Sequence, residues 1–181
     1  MKTVCLIGLF LTSSFFPLQQ NKPGVHIATL ETRVFERVNA ERVKRKLNPL
    51  KLDPKLSDIA RAHSEDMAKR NYIAHVNPEG LTPSDRAHAA GYECHEVIGR
   101  YIYSGIAENI FQSNLYHRVV MTGAQIVYEW NTEDKIAMTS VNGWIESSGH
   151  RANILTVHYT RTGVGVAVSS DQKVYITQEF C

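Results

Sequence analysis

The sequence lacks a strong excess of charge of either sign. Its 20 basic and 18 acidic side chains leave a formal net charge of +2 over 181 residues. Dedicated nucleic-acid-binding domains carry a clear basic excess, so the sequence argues against that class. With 43% hydrophobic and 21% charged residues, the chain also lacks the composition of a disordered protein, a collagen or a coiled coil.

Internal repeats, low-complexity segments and the common catalytic motifs are also missing. The sequence contains no H-E-x-x-H, G-x-S-x-G, P-loop or dinucleotide-binding pattern. Its length falls in the range of about 100–200 residues that is typical of one domain. We therefore predict a single domain over residues 27–181, whose function does not follow from a standard enzyme motif.

Long hydrophobic runs are absent except at the N-terminus, where residues 4–18 are apolar apart from three hydroxyl side chains. This run is shorter than the roughly 20 residues that a membrane-spanning helix needs. A short positive start followed by such a run is typical of a secretory signal, although a buried N-terminal helix is the alternative. Since no A-x-A cleavage site precedes the polar residues 19–23, residues 1–20 are predicted to be either a signal peptide or a retained N-terminal anchor.

Cysteine is scarce, and its count of three is odd. Removal of the predicted signal would remove Cys5 and leave Cys94 and Cys181. Two cysteines in an exported chain are a natural pair in an oxidising compartment. We predict a bridge between them that stabilises the domain by about 4 kcal/mol in the chain-entropy model; two free thiols in a reducing cell are the alternative.

Helical patterns come first along the chain and strand patterns come last. Hydrophobic spacing and capping signals predict helices that cover residues 27–47, begin at 53–54, cover 82–91 and begin at 131–134. Ser84, Asp85 and Arg86 are expected to stabilise the start of the third helix. Strand patterns cover residues 102–111, a hairpin over 119–128 and a second hairpin over 163–180. This order predicts an α+β domain with helices packed on an antiparallel sheet.

Four polar residues are candidates for a shared site: His75, Glu108, Glu146 and His150. Imidazoles and carboxylates together can hold a borderline divalent cation or transfer protons. Glu146 and His150 are four residues apart, but the Ser-Ser-Gly between them is a poor helix continuation, so they need not share a helix face. His63 lies on the apolar face of the second predicted helix and is expected to be a core histidine.

Four sequence blocks occur in an order that resembles the CAP superfamily, also called SCP-like. They are His-Val-Asn at 75–77, Ala-Glu-Asn-Ile at 107–110, Gly-Trp-Ile-Glu-Ser-Ser-Gly-His-Arg-Ala-Asn-Ile-Leu at 143–155, and Gly-Val-Gly-Val-Ala-Val at 163–168. The superfamily includes cysteine-rich secretory proteins, antigen 5 and pathogenesis-related 1. The resemblance is strongest to its single-domain extracellular branch in bacteria and archaea, and it covers residues 29–181.

The resemblance implies an α-β-α sandwich with a cleft that carries two histidines and two glutamates. His75, Glu108 and His150 match three of these positions. Glu146 stands one place early relative to the family's Trp-Tyr-Ser-Glu block, so either Glu146 fills the fourth position or the site has three residues. His75 and His150 would then be the ligands of a divalent metal, with zinc expected first and calcium or magnesium as alternatives.

Three classes of function compete, and a secreted or cell-surface location fits each of them. The first is a binding module that recognises an extracellular ligand or protein through a cation in the cleft. The second is a hydrolase in which His75 and His150 hold the metal and Glu108 orients or deprotonates water. The third is a lipid or sterol carrier. Because no activated nucleophile or fixed general base stands out in the sequence, binding is predicted ahead of catalysis.

Overall fold

The structure is a computed structural model that describes residues 24–123 and 125–181, without the side chain of Ile98. The predicted signal or anchor, residues 1–20, and Cys5 lie outside the described residues. Within the described part, no helix combines the length and the apolar composition that crossing a membrane requires.

The described chain contains both helices and strands, and the predicted α+β class is confirmed. The helices are α1 (Ile27–Lys44), α2 (Pro54–Arg70), α3 (Pro83–Ala89), α4 (Glu133–Glu146) and α5 (Ser148–Leu155). The strands are β1 (Lys51–Leu52), β2 (His95–Ile98), β3 (Tyr101–Ser104), β4 (Ala107–Asn114), β5 (Tyr116–Thr122), β6 (Gln125–Trp130), β7 (Arg161–Val168) and β8 (Lys173–Phe180).

The central sheet has the strand order β1-β7-β8-β4. Strands β7, β8 and β4 are antiparallel, as predicted, but the two-residue β1 adds a parallel pair at the edge beside β7. β1 is too short to show the alternation that marks a strand in a sequence. β5 and β6 form the predicted hairpin, and β2 pairs with β3 in a second hairpin whose first strand was not predicted from the sequence.

The main hydrophobic core lies between one face of this sheet and helices α1, α4 and α5. Alternate residues of the two central strands, Val164 and Val166 on β7 and Ile176 on β8, are buried there. The side chain of Trp144 on α4 is also buried, and its indole N–H donates to the carbonyl of Ile110 on β4 at 2.9 Å. This contact fixes α4 against the edge strand that carries Glu108.

Helix α2 packs on the opposite face of the sheet, which completes the α-β-α sandwich. The approach is close because Gly163 and Gly165 replace side chains on that face of β7. A Cβ atom at Gly165 would lie 1.9 Å from the backbone nitrogen of Arg61, and one at Gly163 would lie 2.2 Å from the carbonyl carbon of Leu56. The hydroxyl of Ser64 on α2 donates to the carbonyl of Gly165 at 2.9 Å.

A disulfide joins Cys94 and Cys181, the pair predicted from the sequence. The Cα atoms are 5.6 Å apart, and the bridge spans 87 residues of sequence. Both cysteines are buried in a small cluster with Leu56, Ile59 and Ala87. The bridge therefore ties the end of β8 to the segment that follows α3.

We predict that Gly165→Ala destabilises the domain by about 3 kcal/mol, because the added methyl group must push α2 away from β7. The free energy of unfolding, measured by urea denaturation, tests this. Gly149→Ala is the control, because a Cβ at Gly149 on α5 meets no atom within 4 Å, and its effect should stay within about 1 kcal/mol. Equal stabilities of the two variants would contradict the close packing of α2 on β7.

Candidate functional site

The candidate site is built around Glu108, the second residue of the edge strand β4. Its side chain is only 1% exposed, and both of its oxygens have partners. Oε1 lies 2.6 Å from Nδ1 of His75, and Oε2 accepts from Nη2 of Arg86 at 2.5 Å. A buried carboxylate needs such charged and hydrogen-bonding partners, because leaving water costs a bare charge several kcal/mol.

His75 lies in the loop between α2 and α3. The loop begins at Asn71, the residue that follows α2. The backbone of Asn71 has a left-handed conformation with φ of 53°. Arg86 on α3 stabilises the loop, because its Nη1 donates to the carbonyl of His75 at 2.7 Å and to that of Leu81 at 3.1 Å. A single guanidinium therefore holds both the backbone of His75 and the carboxylate that contacts its ring.

His150 lies on α5, which packs against β4. Two asparagines attach this helix to β4: Asn109 donates to the carbonyl of His150 at 3.1 Å, and Asn153 donates to the carbonyl of Glu108 at 3.1 Å. The ring centroids of His75 and His150 are 6.0 Å apart, and the ring planes are tilted by 54° to each other. Burial, and then the proximity of His75, lower the pKa of His150, which favours its neutral form, the form that binds metals.

Glu146, the fourth predicted site residue, lies apart from this cluster. It is the last residue of α4 and is exposed. Ser147 separates α4 from α5, so Glu146 and His150 lie on different helices. In the described part of the chain, no hydrogen bond or ion pair joins Glu146 to His75, Glu108 or His150. The structure thus brings together three of the four predicted residues.

Arg86 is a site residue that was not predicted from the sequence, because it was assigned to the start of α3. That start is instead capped by Thr82 and Asp85, whose side chains each bond the other's backbone N–H. Arg86 is on the following turn and reaches the carboxylate of Glu108. No sequence pattern indicates this contact, because it depends on the packing of α3 beside β4.

Glu179 is a second site residue that was not predicted. It lies directly opposite Glu108 in the β4–β8 pairing and is fully buried. Its Oε1 is 3.7 Å from Nη2 of Arg86, which is too far for a hydrogen bond. One feature of the sequence could have indicated Glu179: it is a carboxylate inside the strand sequence Lys-Val-Tyr-Ile-Thr-Gln-Glu-Phe of β8. Ionisable residues are rarely fully buried without a partner, so a carboxylate in such a strand suggests a charged neighbour.

His63 is buried on α2, as expected for a core histidine. Its Nε2 is 3.0 Å from the carbonyl of Ala74 and 3.8 Å from Oε2 of Glu108. Burial lowers the pKa of His63, so the ring is neutral and its Nε2–H donates to Ala74. His63 therefore forms part of the wall behind Glu108.

The arrangement offers two neighbouring imidazoles, one of which is hydrogen-bonded to a buried carboxylate. Within residues 24–123 and 125–181, no group of three or more His, Cys, Asp or Glu side chains has the geometry of a metal site. The site can therefore present two imidazole nitrogens to a metal ion, or a single proton acceptor to another bound molecule.

Comparison with known proteins identifies the family. The model of the cysteine-rich secretory protein (CAP) family matches residues 35–180. The uncharacterized protein YkwD of Bacillus subtilis is 32% identical over 143 residues, which are 79% of this chain and 44% of YkwD. The uncharacterized membrane protein YlbC of the same organism is 32% identical over 152 residues, or 84% of this chain and 34% of YlbC. The chain thus spans less than half the length of these curated relatives.

Solved structures share the fold. An extracellular SCP-domain protein from Bacillus anthracis has a TM-score of 0.59 and 25% identity over 88% of this chain and 44% of its own. An outer surface protein from Borrelia burgdorferi has a TM-score of 0.60 and 17% identity, with 84% and 91% covered. NaASP2, solved with Zn2+, has a TM-score of 0.55 and 13% identity, with 88% and 83% covered. This chain belongs to the CAP family of cysteine-rich secretory proteins.

Proposed function

We propose that this chain is a secreted or cell-surface CAP domain that binds a divalent cation, zinc above all, between His75 and His150. The loaded cleft then recognises an extracellular ligand or protein. The observation that carries this proposal is the hydrogen bond between Glu108 and Nδ1 of His75. Metal-binding histidines commonly donate their second ring N–H to a carboxylate, which fixes the tautomer and the direction of the free nitrogen.

The two imidazoles fit a shared cation with open coordination positions. Zinc binds histidine nitrogen at about 2.0–2.1 Å, so two imidazoles on a tetrahedral zinc have centroids about 5 Å apart. The centroids of His75 and His150 are 6.0 Å apart, so a small rotation of His75, whose side chain is 46% exposed, would close the difference. When bound, the cation would supply a positive centre with positions left for water or for an oxygen or nitrogen of the ligand.

The surroundings of Glu108 support an orienting role. Both oxygens are engaged, one by His75 and the other by Arg86, and the side chain is only 1% exposed, so Glu108 is poorly placed to deprotonate a water molecule. This is the reason to propose binding ahead of hydrolysis. The neighbours from Bacillus anthracis and Borrelia burgdorferi are an extracellular and an outer surface protein, which supports the proposed location. NaASP2 was solved with Zn2+, but at 13% identity the support for zinc comes from this chain's own imidazoles.

We predict that the purified protein binds one zinc ion, and that His75→Ala and His150→Ala each weaken binding by at least about tenfold. Isothermal titration calorimetry of the full-length chain measures this. His117→Ala is the control, because His117 is an exposed histidine on the β5–β6 hairpin. The exposed Glu146→Gln should also leave affinity within about twofold. Equal zinc affinities in the wild type and both cleft variants would contradict the proposal.

Glu108→Gln should release the ring of His75 and weaken zinc binding by about 10–100-fold, because the charge-assisted contact that fixes the ring is lost. Long-range 1H–15N NMR should show one tautomer of His75 in the wild type, with the proton on Nδ1. In the variant it should show a mixture of tautomers. The matched control is Glu129→Gln, which alters the exposed His117–Glu129 pair. A wild-type His75 protonated on Nε2 would refute the orienting role.

A further inference from the structure

The carboxyls of Glu108 and Glu179 form a buried pair behind the cleft. The two residues are direct partners across β4 and β8, and their side chains are 1% and 0% exposed. Two adjacent carboxylates cannot both keep a full charge in an apolar interior unless cations compensate both of them. The number of positive charges near the pair therefore decides its protonation.

In the described part of the chain, one guanidinium lies beside the pair, and it is hydrogen-bonded to Glu108. Nη2 of Arg86 is 2.5 Å from Oε2 of Glu108 but 3.7 Å from Oε1 of Glu179. Nη1 of Arg86 is used by the carbonyls of His75 and Leu81. Among the described residues, the ionisable groups in ion-pair contact with the pair are Arg86 from α3, His63 from α2 and His75 from the loop between these helices.

The two histidines do not compensate the charge of Glu179. His63 is neutral, since burial lowers its pKa and its Nε2–H donates to Ala74. His75 contacts Oε1 of Glu108. One negative charge, on Glu108, is therefore matched by Arg86, and a second negative charge on Glu179 would have no cation in hydrogen-bonding contact among the described residues.

The hydrogen bonding of Glu179 also favours a neutral carboxyl over a charged one. Neither Oε1 nor Oε2 of Glu179 has a hydrogen-bond donor among the described residues, although both atoms are buried. The group beside it is the carboxylate of Glu108, which is only an acceptor. A proton on Glu179 would let it donate an O–H···O bond to the carboxylate of its cross-strand partner. Neutral, buried carboxylic acids that donate in this way are known from other sites.

We propose that Glu179 is a positioning residue, held as a neutral carboxylic acid that donates to Glu108 and keeps its carboxylate aligned between Arg86 and His75. This inference rests on the proposed role of Glu108 in orienting His75. Burial first, and then the negative charge of Glu108, raise the pKa of Glu179 well above its ordinary value, in agreement with the geometry.

A neutral Glu179 makes the stability of the fold depend on pH. A carboxyl whose pKa is higher in the folded state stabilises the fold fully at pH values below the pKa of the unfolded state, about 4.3 for glutamate. That stability is lost as the pH rises toward the pKa of the folded state, since the unfolded chain releases its proton first. Glu179→Gln, which keeps a donor and has no proton to lose, removes this dependence. Its Tm should therefore rise relative to the wild type as the pH increases above the pKa of glutamate in the unfolded chain.

The test uses the metal-free, full-length protein with glutamate labelled at the carboxyl carbon. The 13C shift of Glu179 should stay that of the neutral acid at about pH 7, a pH at which exposed glutamates give the shift of the ionised form. Glu179→Gln should keep the Nδ1–H tautomer of His75, whereas Glu179→Ala should lose it. Glu146→Gln is the matched control and should change neither the tautomer of His75 nor the pH dependence of Tm.

Titration of Glu179 together with the exposed carboxyls would overturn the inference, as would loss of the His75 tautomer in Glu179→Gln. If Glu179→Ala does not fold, the carboxyl titration of the wild type decides the question. The readouts need no zinc, so a failure of zinc binding alone contradicts the proposed function and leaves this inference standing.

Discussion

The site depends on one buried negative charge, the carboxylate of Glu108. In an apolar interior this charge must be matched by a cation and satisfied by donors, and the structure meets both needs with Arg86 and His75. The same contacts orient the ring of His75 and hold its backbone. A single electrostatic requirement therefore links an edge strand, a loop and α3 into one cleft.

The fold fixes the elements that meet this requirement. Gly163 and Gly165 let α2 lie directly on β7, and the loop that carries His75 starts at the end of α2. The disulfide holds Cys181, two residues after Glu179, to the segment that follows α3. On the other side, Asn109 and Asn153 bond α5 to β4. His75 and His150 are consequently held by different layers of the sandwich and meet at the edge of the sheet.

The sequence was sufficient for the fold class, the disulfide pair and three residues of the cleft. His75, Glu108 and His150 belong to short motifs whose order along the chain identifies the family, so no knowledge of contacts was needed. Arg86 and Glu179 could not be found in this way. The start of α3 offered Arg86 a sufficient local role, and Glu179 becomes a neighbour of Glu108 only through the register of β4 and β8. The parallel pairing of β1 was missed because two residues show no periodicity.

Glu146 lies on the exposed end of α4, and His150 lies on the next helix. The four-residue spacing between them therefore does not place them on one helix face.

The most direct test is the position of zinc in a crystal of the full-length protein soaked with zinc, located from its anomalous scattering. We expect one strong peak about 2.0–2.1 Å from a ring nitrogen of both His75 and His150, with Glu108 still bonded to Nδ1 of His75 and to Arg86. Zinc bound directly by Glu108, zinc only at surface histidines such as His117, or no zinc in the cleft would contradict the proposed role of the site.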